Sequence, residues 1–434
     1  MKIAIVGAGV GGMAAAYDFI RQGHTVTIFE AADYVGGLAA GIKEPHWDWS
    51  VERYYHHWFQ SDRAMLGLID ELGWREDVIF PRPKTVAYYN GKFYPLDSPL
   101  AAISFPGYGF IDMVRFGLVT VFLKYLAAWQ PLERELAVAW MRRWYGERVY
   151  QALLEPLMAG KFGRHMNDVN MAWMWARIKA RTTRLGTFKG GFQAFCDRLA
   201  DFLRGRGAQI RLSTPAQAIR AHTGGGVQIQ LAGEALDFDQ CLVTTSPALL
   251  AKLAPELQGD YLRGLLSLKS MGAVVLILAL RHQLSQEGYY WFNLPKSAGF
   301  PFLALVEHTN FLKPEYFGGD HIVYCGDYLD IDHEHFEMSK EQLVERFLPA
   351  LKRFNSHFEP DWVKGSWLSR TTYAQPVPLL NHSRNVPDLA TPLPGLYFAS
   401  MSQVYPWDRG TNFAVEVARK AARRMLIEGV PPRF

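Results

Sequence analysis

Cysteine is scarce: Cys196, Cys241 and Cys325 are the three in 434 residues, and they lie in separate segments with no CxxC pair. That spacing excludes a disulfide framework and a zinc site, leaves no metal to expect, and fits a reducing, cytoplasmic compartment. An excess of one charge is lacking too. Forty-six basic residues against 42 acidic ones leave +4, too little and too scattered for a nucleic-acid footprint. Long membrane-spanning runs are missing: the longest uncharged stretch, 389–407, carries Pro392, Pro394 and Pro406, and the apolar stretch 116–123 is bounded by Arg115 and Lys124. Neither can cross a bilayer as a helix. The absence of tandem repeats excludes solenoids, and the absence of a GxSxG elbow removes the serine-hydrolase class.

What is there is an ordinary globular composition, 49% hydrophobic and 20% charged, with length enough for more than one domain. Ile3-Ala4-Ile5-Val6 is a β-prone apolar run that ends in Gly7-Ala8-Gly9-Val10-Gly11-Gly12, and residues 13–22 then read as a helix closed by Gly23. A second β-prone run, Thr25-Val26-Thr27-Ile28-Phe29, ends in Glu30, eighteen residues past Gly12. Strand, glycine turn, helix, strand and acid make a βαβ unit of ordinary length. Between about 100 and 185 the texture is helical and rich in tryptophan, with Trp129, Trp140, Trp144, Trp173 and Trp175. Residues 209–212, 227–231 and 240–245 read as strands, and 270–280, 299–307 and 321–325 as an antiparallel sheet in another layer. A strand at 395–399 and a helix at 413–427 return to the opening texture.

A dinucleotide pyrophosphate must approach the backbone closely. In this motif Gly7 serves the tight turn, Gly9 leaves room for phosphate, and Gly12 lets helix pack on strand, with Gly11 beside it. The helix N-terminus supplies N–H groups and positive dipole, and Glu30 is placed to accept hydrogen bonds from an adenosine ribose. The same unit serves NAD or FAD. A second glycine pair, Gly36-Gly37-Leu38, follows six residues after Glu30.

The stretch 7–12, Glu30 and Gly36-Gly37 together resemble the opening of the flavin amine oxidase superfamily, which includes protoporphyrinogen oxidases, phytoene-type desaturases and, more distantly, UDP-galactopyranose mutase. The resemblance implies FAD, with the acid on the ribose and the later glycine pair, with Leu38, beside the pyrophosphate and ribityl region. Residues 154–163 and 188–203 resemble the helical segments around the central glycine pair of the porphyrinogen oxidases. Ser213-Thr214-Pro215-Ala216 stands where such enzymes offer backbone to adenine, which puts Ala216 among the cofactor residues. Many members carry a Gly-Asp pair after the closing strand; here Ser400-Met401-Ser402 occupies it, and Asp408-Arg409-Gly410-Thr411-Asn412-Phe413 follows. Asp408, Thr411, Asn412 and Phe413 are therefore taken as flavin contacts. The loop Arg53-Tyr54-Tyr55-His56-His57-Trp58-Phe59 resembles the histidine-bearing loop of the mutase, which makes His56 and His57 candidate catalytic residues. Arg409, in the segment before the closing helix, is the third: with Asp408 it either tunes the flavin or holds substrate, or the two merely pair with each other beside the turn. Adjacent histidines on an extended segment point to opposite faces, so one of the two should reach the site. The lysine that amine oxidases place on the strand corresponding to 272–276 has no counterpart here; Lys269 precedes it. With no cysteine after 325, the FAD should be held non-covalently.

The expected architecture is α/β: a Rossmann-like FAD-binding domain from 1–75, 186–255 and 376–434, interleaved with an α+β substrate or cap domain from 76–185 and 256–375. The expected function is that of an FAD-dependent oxidoreductase, taking hydride from an apolar or amphipathic substrate (an isoprenoid, a porphyrinogen or a lipid-linked compound) and passing electrons to an acceptor of unknown identity. Two alternatives stand beside it: a non-redox sugar mutase, and a flavin-less escort protein, against which the intact phosphate glycines weigh. No nucleic acid is expected as a partner. The stripe 116–123, flanked by Arg115, Lys124, Tyr125 and Trp129, reads either as a peripheral membrane anchor or as the core face of a cap helix.

Overall fold

The computed structural model describes residues 1–222 and 225–428, so the end of the segment 376–434 lies outside the described residues. Five short strands pair in parallel in the order Gln209–Arg211, Thr25–Phe29, Lys2–Val6, Gln240–Val243, Leu396–Phe398. Their apolar runs reflect burial on both faces. Ile3, Ile5, Val26 and Ile28 face the helices Val10–Arg21, Gly191–Gly205 and Thr411–Glu428. Ala4, Val6 and Phe29 face a three-stranded antiparallel sheet, Ala218–Ala221, Val227–Gln230 and Ala235–Phe238, through Ile219, Val227, Ile229 and Phe238. Because every strand of the five runs the same way, the turns after Val6, Phe29, Val243 and Phe398 emerge along one edge, where ligands of such sheets bind.

A second sheet of seven strands runs in the order Val363–Pro376, Ser270–Leu280, His321–Leu329, Ala304–Glu307, Trp291–Asn293, Thr85–Tyr89, Lys92–Pro95. It is antiparallel except where Trp291–Asn293 pairs with Thr85–Tyr89. Ser270–Leu280 is covered on both faces. Val274, Leu276, Leu278 and Leu280 meet the helix Lys340–Leu351, while Val275, Ile277 and Ala279 meet Trp47, Tyr290, Phe317 and Tyr324. The long edge strand Val363–Pro376 and the hairpin at 85–95 were not evident in the sequence.

Residues 110–180 form the helical cap, including Phe110–Val121, Ala137–Tyr145, Glu155–Phe162 and Met171–Ala180. Its aromatic core, Tyr145, Tyr150, Phe162 and Trp173, packs on Met271, Ala273 and Tyr328 at one end of the second sheet. The stripe at 116–123 is in part the cap's core face: Leu123 is fully buried and Phe116 and Val119 pack against the cap core, while Leu118, with Phe110, Ile111, Tyr125 and Leu126 outside the stripe, is at least two-thirds exposed. A groove of about 610 Å³ on this face is lined by Phe110, Ile111, Val114 and Leu118, with Trp144 and two arginines at its margin. Among the described residues, no helix is long and apolar enough to cross a membrane.

Candidate active site

The glycine turn between Lys2–Val6 and Val10–Arg21 shows three different reasons for glycine. Gly7 has φ of +111°, a conformation open to glycine at no steric cost. A Cβ on Gly12 would stand 2.2 Å from the Gly7 carbonyl oxygen, and one on Gly11 2.9 Å from that of Ala414 in the closing helix; both are packing constraints. Gly9 is different. At φ −69° it suits any residue, and a Cβ there would meet no protein atom closer than the Gly37 Cα at 4.0 Å. Nothing in the chain demands glycine at that point; the space above it is what a pyrophosphate would fill. The helix that starts here has no side-chain cap and no acid in its first turn, which leaves its N–H groups and dipole for an anion.

The fold draws the other expected cofactor residues to this turn. Gly36, at φ +113°, bridges to Gly9 and donates its N–H to the Ala8 carbonyl at 2.9 Å. Gly37 and half-buried Leu38 begin the short turn Gly37–Ala39 that follows. The Glu30 carboxylate accepts the Ala8 N–H at 2.8 Å and the Ala32 N–H at 3.0 Å. Each oxygen keeps a further acceptor position for ribose hydroxyls. Ser213 and Thr214 donate their N–H groups to Ala32 and Glu30 at 2.8 Å, which straps the stretch carrying half-buried Ala216 against the acid. These residues fit a dinucleotide: Gly7, Gly9, Gly11 and Gly12 would take its pyrophosphate, Glu30 and the 213–216 stretch its adenosine, and Gly36 and Gly37 the span toward its flavin.

Thr411 and Asn412, placed at the flavin from sequence, use their side chains elsewhere. The Thr411 hydroxyl accepts from the Trp58 indole at 2.9 Å, and Asn412 Oδ1 caps the helix Arg63–Glu71 by accepting from Ala64 and Met65 N–H at 2.9 and 3.0 Å. Both staple the aromatic loop and its following helix to the closing helix. Their backbone N–H groups, with that of Phe413, precede the first intrahelical bond, which Ala414 makes to Gly410. Phe413 stacks on Trp407, centroids 5.7 Å apart.

The two histidines point to different neighbours. His56 donates from Nδ1 to the Tyr54 carbonyl at 2.5 Å and lies against Phe192. Burial, assisted by Arg409, lowers it to about 4. It is a neutral imidazole with Nε2 left as acceptor. His57 Nδ1 meets the Tyr290 hydroxyl at 3.2 Å within an aromatic nest of Tyr290, Trp291 and Phe311, and burial pushes it down to about 3.

Asp408 corrects the sequence reading. Rather than facing the cofactor or pairing with the side chain of Arg409, it turns to the cap, accepting from Arg177 at 3.1 Å, the Trp173 indole at 3.3 Å, Gln375 at 3.2 Å and the Arg409 N–H at 3.0 Å. Burial opposes its ionisation, but Arg177, Arg409 and Lys161 outweigh that and hold it well below the usual carboxylate range. Arg409 donates to the Tyr328 hydroxyl and lies 4.9 Å from that ring. Lys161, from the helix Glu155–Phe162, sits 4.0 Å from the same ring centroid, its ammonium depressed well below normal by burial and then by Arg409 and Arg177. Arg181, just past the helix Met171–Ala180, is lowered to about 9 by Arg177 and then by burial. Lys161, Arg177, Arg181 and Gln375 were not foreseen. The available signal was a basic residue directly after an apolar, aromatic run, Arg177 after Met171-Ala172-Trp173-Met174-Trp175-Ala176 and Lys161 after Leu157-Met158-Ala159-Gly160.

Similarity to other proteins agrees with this geometry. Over 200 residues the chain is 27% identical to the mitochondrial protoporphyrinogen oxidase of Nicotiana tabacum, covering 43% of this chain and 37% of that one. Over 289 residues it is 24% identical to a 15-cis-phytoene desaturase of Glycine max, covering 59% and 49%. These matches span about a third to a half of the relatives' own length. Among solved structures, cyclohexylamine oxidase from Brevibacterium oxydans superposes with a TM-score of 0.74 at 15% identity, covering 98% of this chain and 99% of that one; at that identity the likeness is one of fold. The cofactor suited to the cradle is FAD, and residues 10–426 match the family described as flavin containing amine oxidoreductase. On a cradle built for a dinucleotide and a match of nearly full length, the chain belongs to the flavin-containing amine oxidoreductases.

Proposed function

We propose that this oxidoreductase dehydrogenates an apolar or amphipathic substrate of the isoprenoid, porphyrinogen or lipid-linked kind, holding its FAD non-covalently and passing electrons to a separate acceptor. The observation that carries the reading is the aromatic wall at the loop leading into the closing helix, where the Tyr328 hydroxyl accepts from Arg409, the Trp173 indole donates to Asp408, and Trp407 lies against Trp175 and Phe413. When bound, FAD supplies the two-electron acceptance that protein side chains lack. The chain's own groups bind, orient and move protons. His56 Nε2, neutral and unprotonated, accepts a proton, and the Tyr54 carbonyl holds its ring in that tautomer. The aromatic wall excludes water. The exposed flank at 110–126 supports contact with a lipid surface from which such a substrate would arrive. Flotation with phosphatidylglycerol vesicles tests this contact: recovery with the vesicles is expected for the native chain and should be lost in an Ile111→Asp, Leu118→Asp variant.

The decisive experiment is anaerobic addition of isoprenoid, porphyrinogen and lipid-linked sugar pools to the yellow holoprotein, with product mass compared to substrate. Bleaching of the flavin and a product lighter by two hydrogens is expected. A rearranged product of unchanged mass would favour the mutase alternative, and indifference to all three pools would refute the substrate class.

A further inference from the structure

Beside Tyr328 the charges do not balance. Lys161 and Arg409 both stand over its ring, 4.0 and 4.9 Å from the centroid, and the carboxylate next to Arg409, Asp408, is already bound to Arg177 at 3.1 Å. Among the described residues, no Asp or Glu oxygen lies within 4.0 Å of the charged nitrogens of Lys161 or Arg409. Asp327, the residue before Tyr328 on the same strand, faces Lys296 at 3.9 Å instead. Arg409 Nε is buried with no hydrogen-bond partner, and so is Gln375 Oε1, while Lys161 is half-buried. Two cations held over one ring without a counter-ion are costly unless a ligand supplies the charge. The two charges of a dinucleotide pyrophosphate are met elsewhere, by the glycine turn on the parallel sheet.

Resting on the substrate-oxidation reading above, we propose that Lys161 and Arg409 form a subsite around the Tyr328 ring for a substrate oxyanion carrying at least two negative charges, either a phosphate ester or a pair of carboxylates. Arg177 and Asp408 are its positioning residues: their ion pair anchors the loop that presents Arg409, and Arg177 is itself held at 4.8 Å from the Trp173 ring. The substrate is then amphipathic, its apolar part against the aromatic wall and its anionic part on these two cations.

The test uses the FAD-loaded protein, titrated at constant ionic strength with inorganic pyrophosphate and, separately, with glutarate. The flavin difference spectrum and the thermal midpoint are read together. A saturable response to at least one probe is expected; stronger binding of pyrophosphate assigns the subsite to phosphate, and stronger binding of glutarate to carboxylates. Lys161→Met and Arg409→Gln should each weaken binding by about tenfold or more, the loss of one charge-assisted contact, at unchanged flavin content. Arg263→Gln, which removes an exposed cation paired with Asp260, should leave binding as it was. The proposal is overturned if neither probe binds the holoprotein, if the two variants bind like the native chain, or if binding appears only after FAD is stripped, which marks the glycine cradle. A holoprotein that is bleached by apolar substrates yet indifferent to both anions sinks the anion subsite alone; one that binds anions but is never bleached sinks the oxidation reading alone.

Discussion

One methyl group, added at Gly9 or at Gly12, should separate a glycine kept for a ligand from a glycine kept for packing. At Gly12 the new Cβ would lie 2.2 Å from the Gly7 carbonyl oxygen, 3.2 Å from Thr244 Oγ1 and 3.3 Å from Ile5 Cγ2. The first of these is backbone that cannot swing aside, so the helix Val10–Arg21 must lift from its strand. Overpacking of this kind costs about 1–3 kcal/mol, against a gain of about 1 kcal/mol for alanine over glycine within a helix. The turn that aims the N–H groups would move with it. At Gly9 the Cβ has 4.0 Å of clearance and the backbone is already in an extended conformation. Losing glycine at an N-cap costs up to about 1 kcal/mol, and the stiffer unfolded chain returns a similar amount, so the apoprotein should be stable to within about 0.5 kcal/mol of the native chain. The same methyl would occupy the phosphate space. Losing one or two charge-assisted contacts weakens FAD by roughly tenfold to a hundredfold. The assay is urea unfolding of the apoprotein, with and without added FAD, because bound ligand adds about 2.7 kcal/mol at a hundred times its Kd and would otherwise mask the difference. Gly9→Ala should unfold like the native apoprotein and gain little from FAD; Gly12→Ala should unfold earlier in both conditions. If Gly9→Ala binds FAD like the native protein, or if its apoprotein is as weakened as that of Gly12→Ala, the assignment of the space above Gly9 to a pyrophosphate is wrong.

Glu30→Gln should weaken FAD by about 1–3 kcal/mol without lowering turnover at saturating cofactor; a variant still inactive when saturated would deny the ribose role. Replacing His56 with Gln should change the flavin spectrum and turnover, whereas His57→Gln, inside the Tyr290 nest, should mainly lower stability; equal small effects at both would make the loop a packing element. Arg409→Ala should lower turnover or the flavin potential while leaving FAD affinity intact, since the glycine cradle is elsewhere, and unchanged values of both would make Arg409 structural. His308 is buried among Phe311, Phe317 and Tyr324, with neither ring nitrogen hydrogen-bonded, and burial lowers it to about 3. Between its unfolded value near 6.5 and this folded value, the unfolded chain binds one more proton, so its contribution to stability falls as pH falls. His308→Phe should remove about 1.4 kcal/mol per pH unit from the slope of unfolding free energy between pH 4.5 and 6; an unchanged slope would show that this imidazole titrates normally.

The nucleotide half of the molecule was legible because its signals are local. A glycine that takes φ of +111° at Gly7, an apolar run of strand length at residues 3–6 and an acid at the end of the next strand all act over a few residues of chain, where backbone sterics and periodicity are settled. The strand Val363–Pro376 escaped because it lies at a sheet edge with one partner, so its residues stay half-buried and polar and its alternation is blurred. The stripe at 116–123 left open what would cover it, and the packed cap covers Phe116, Val119 and Leu123 while leaving Leu118, Val121 and Phe122 exposed. The cluster of charges at Tyr328 lay furthest from view. Lys161 and Arg177 come from the cap, Tyr328 from the second sheet, and Asp408 and Arg409 from the loop before the closing helix. Arg177 meets Asp408 across 231 positions of chain. Asp408 and Arg409 stood out through the closing segment, whereas Lys161 and Arg177 read alone are ordinary surface residues. Only the docking of cap helices on the end of the second sheet, driven by burial of Tyr145, Phe162, Trp173 and Met271, brings these charges together.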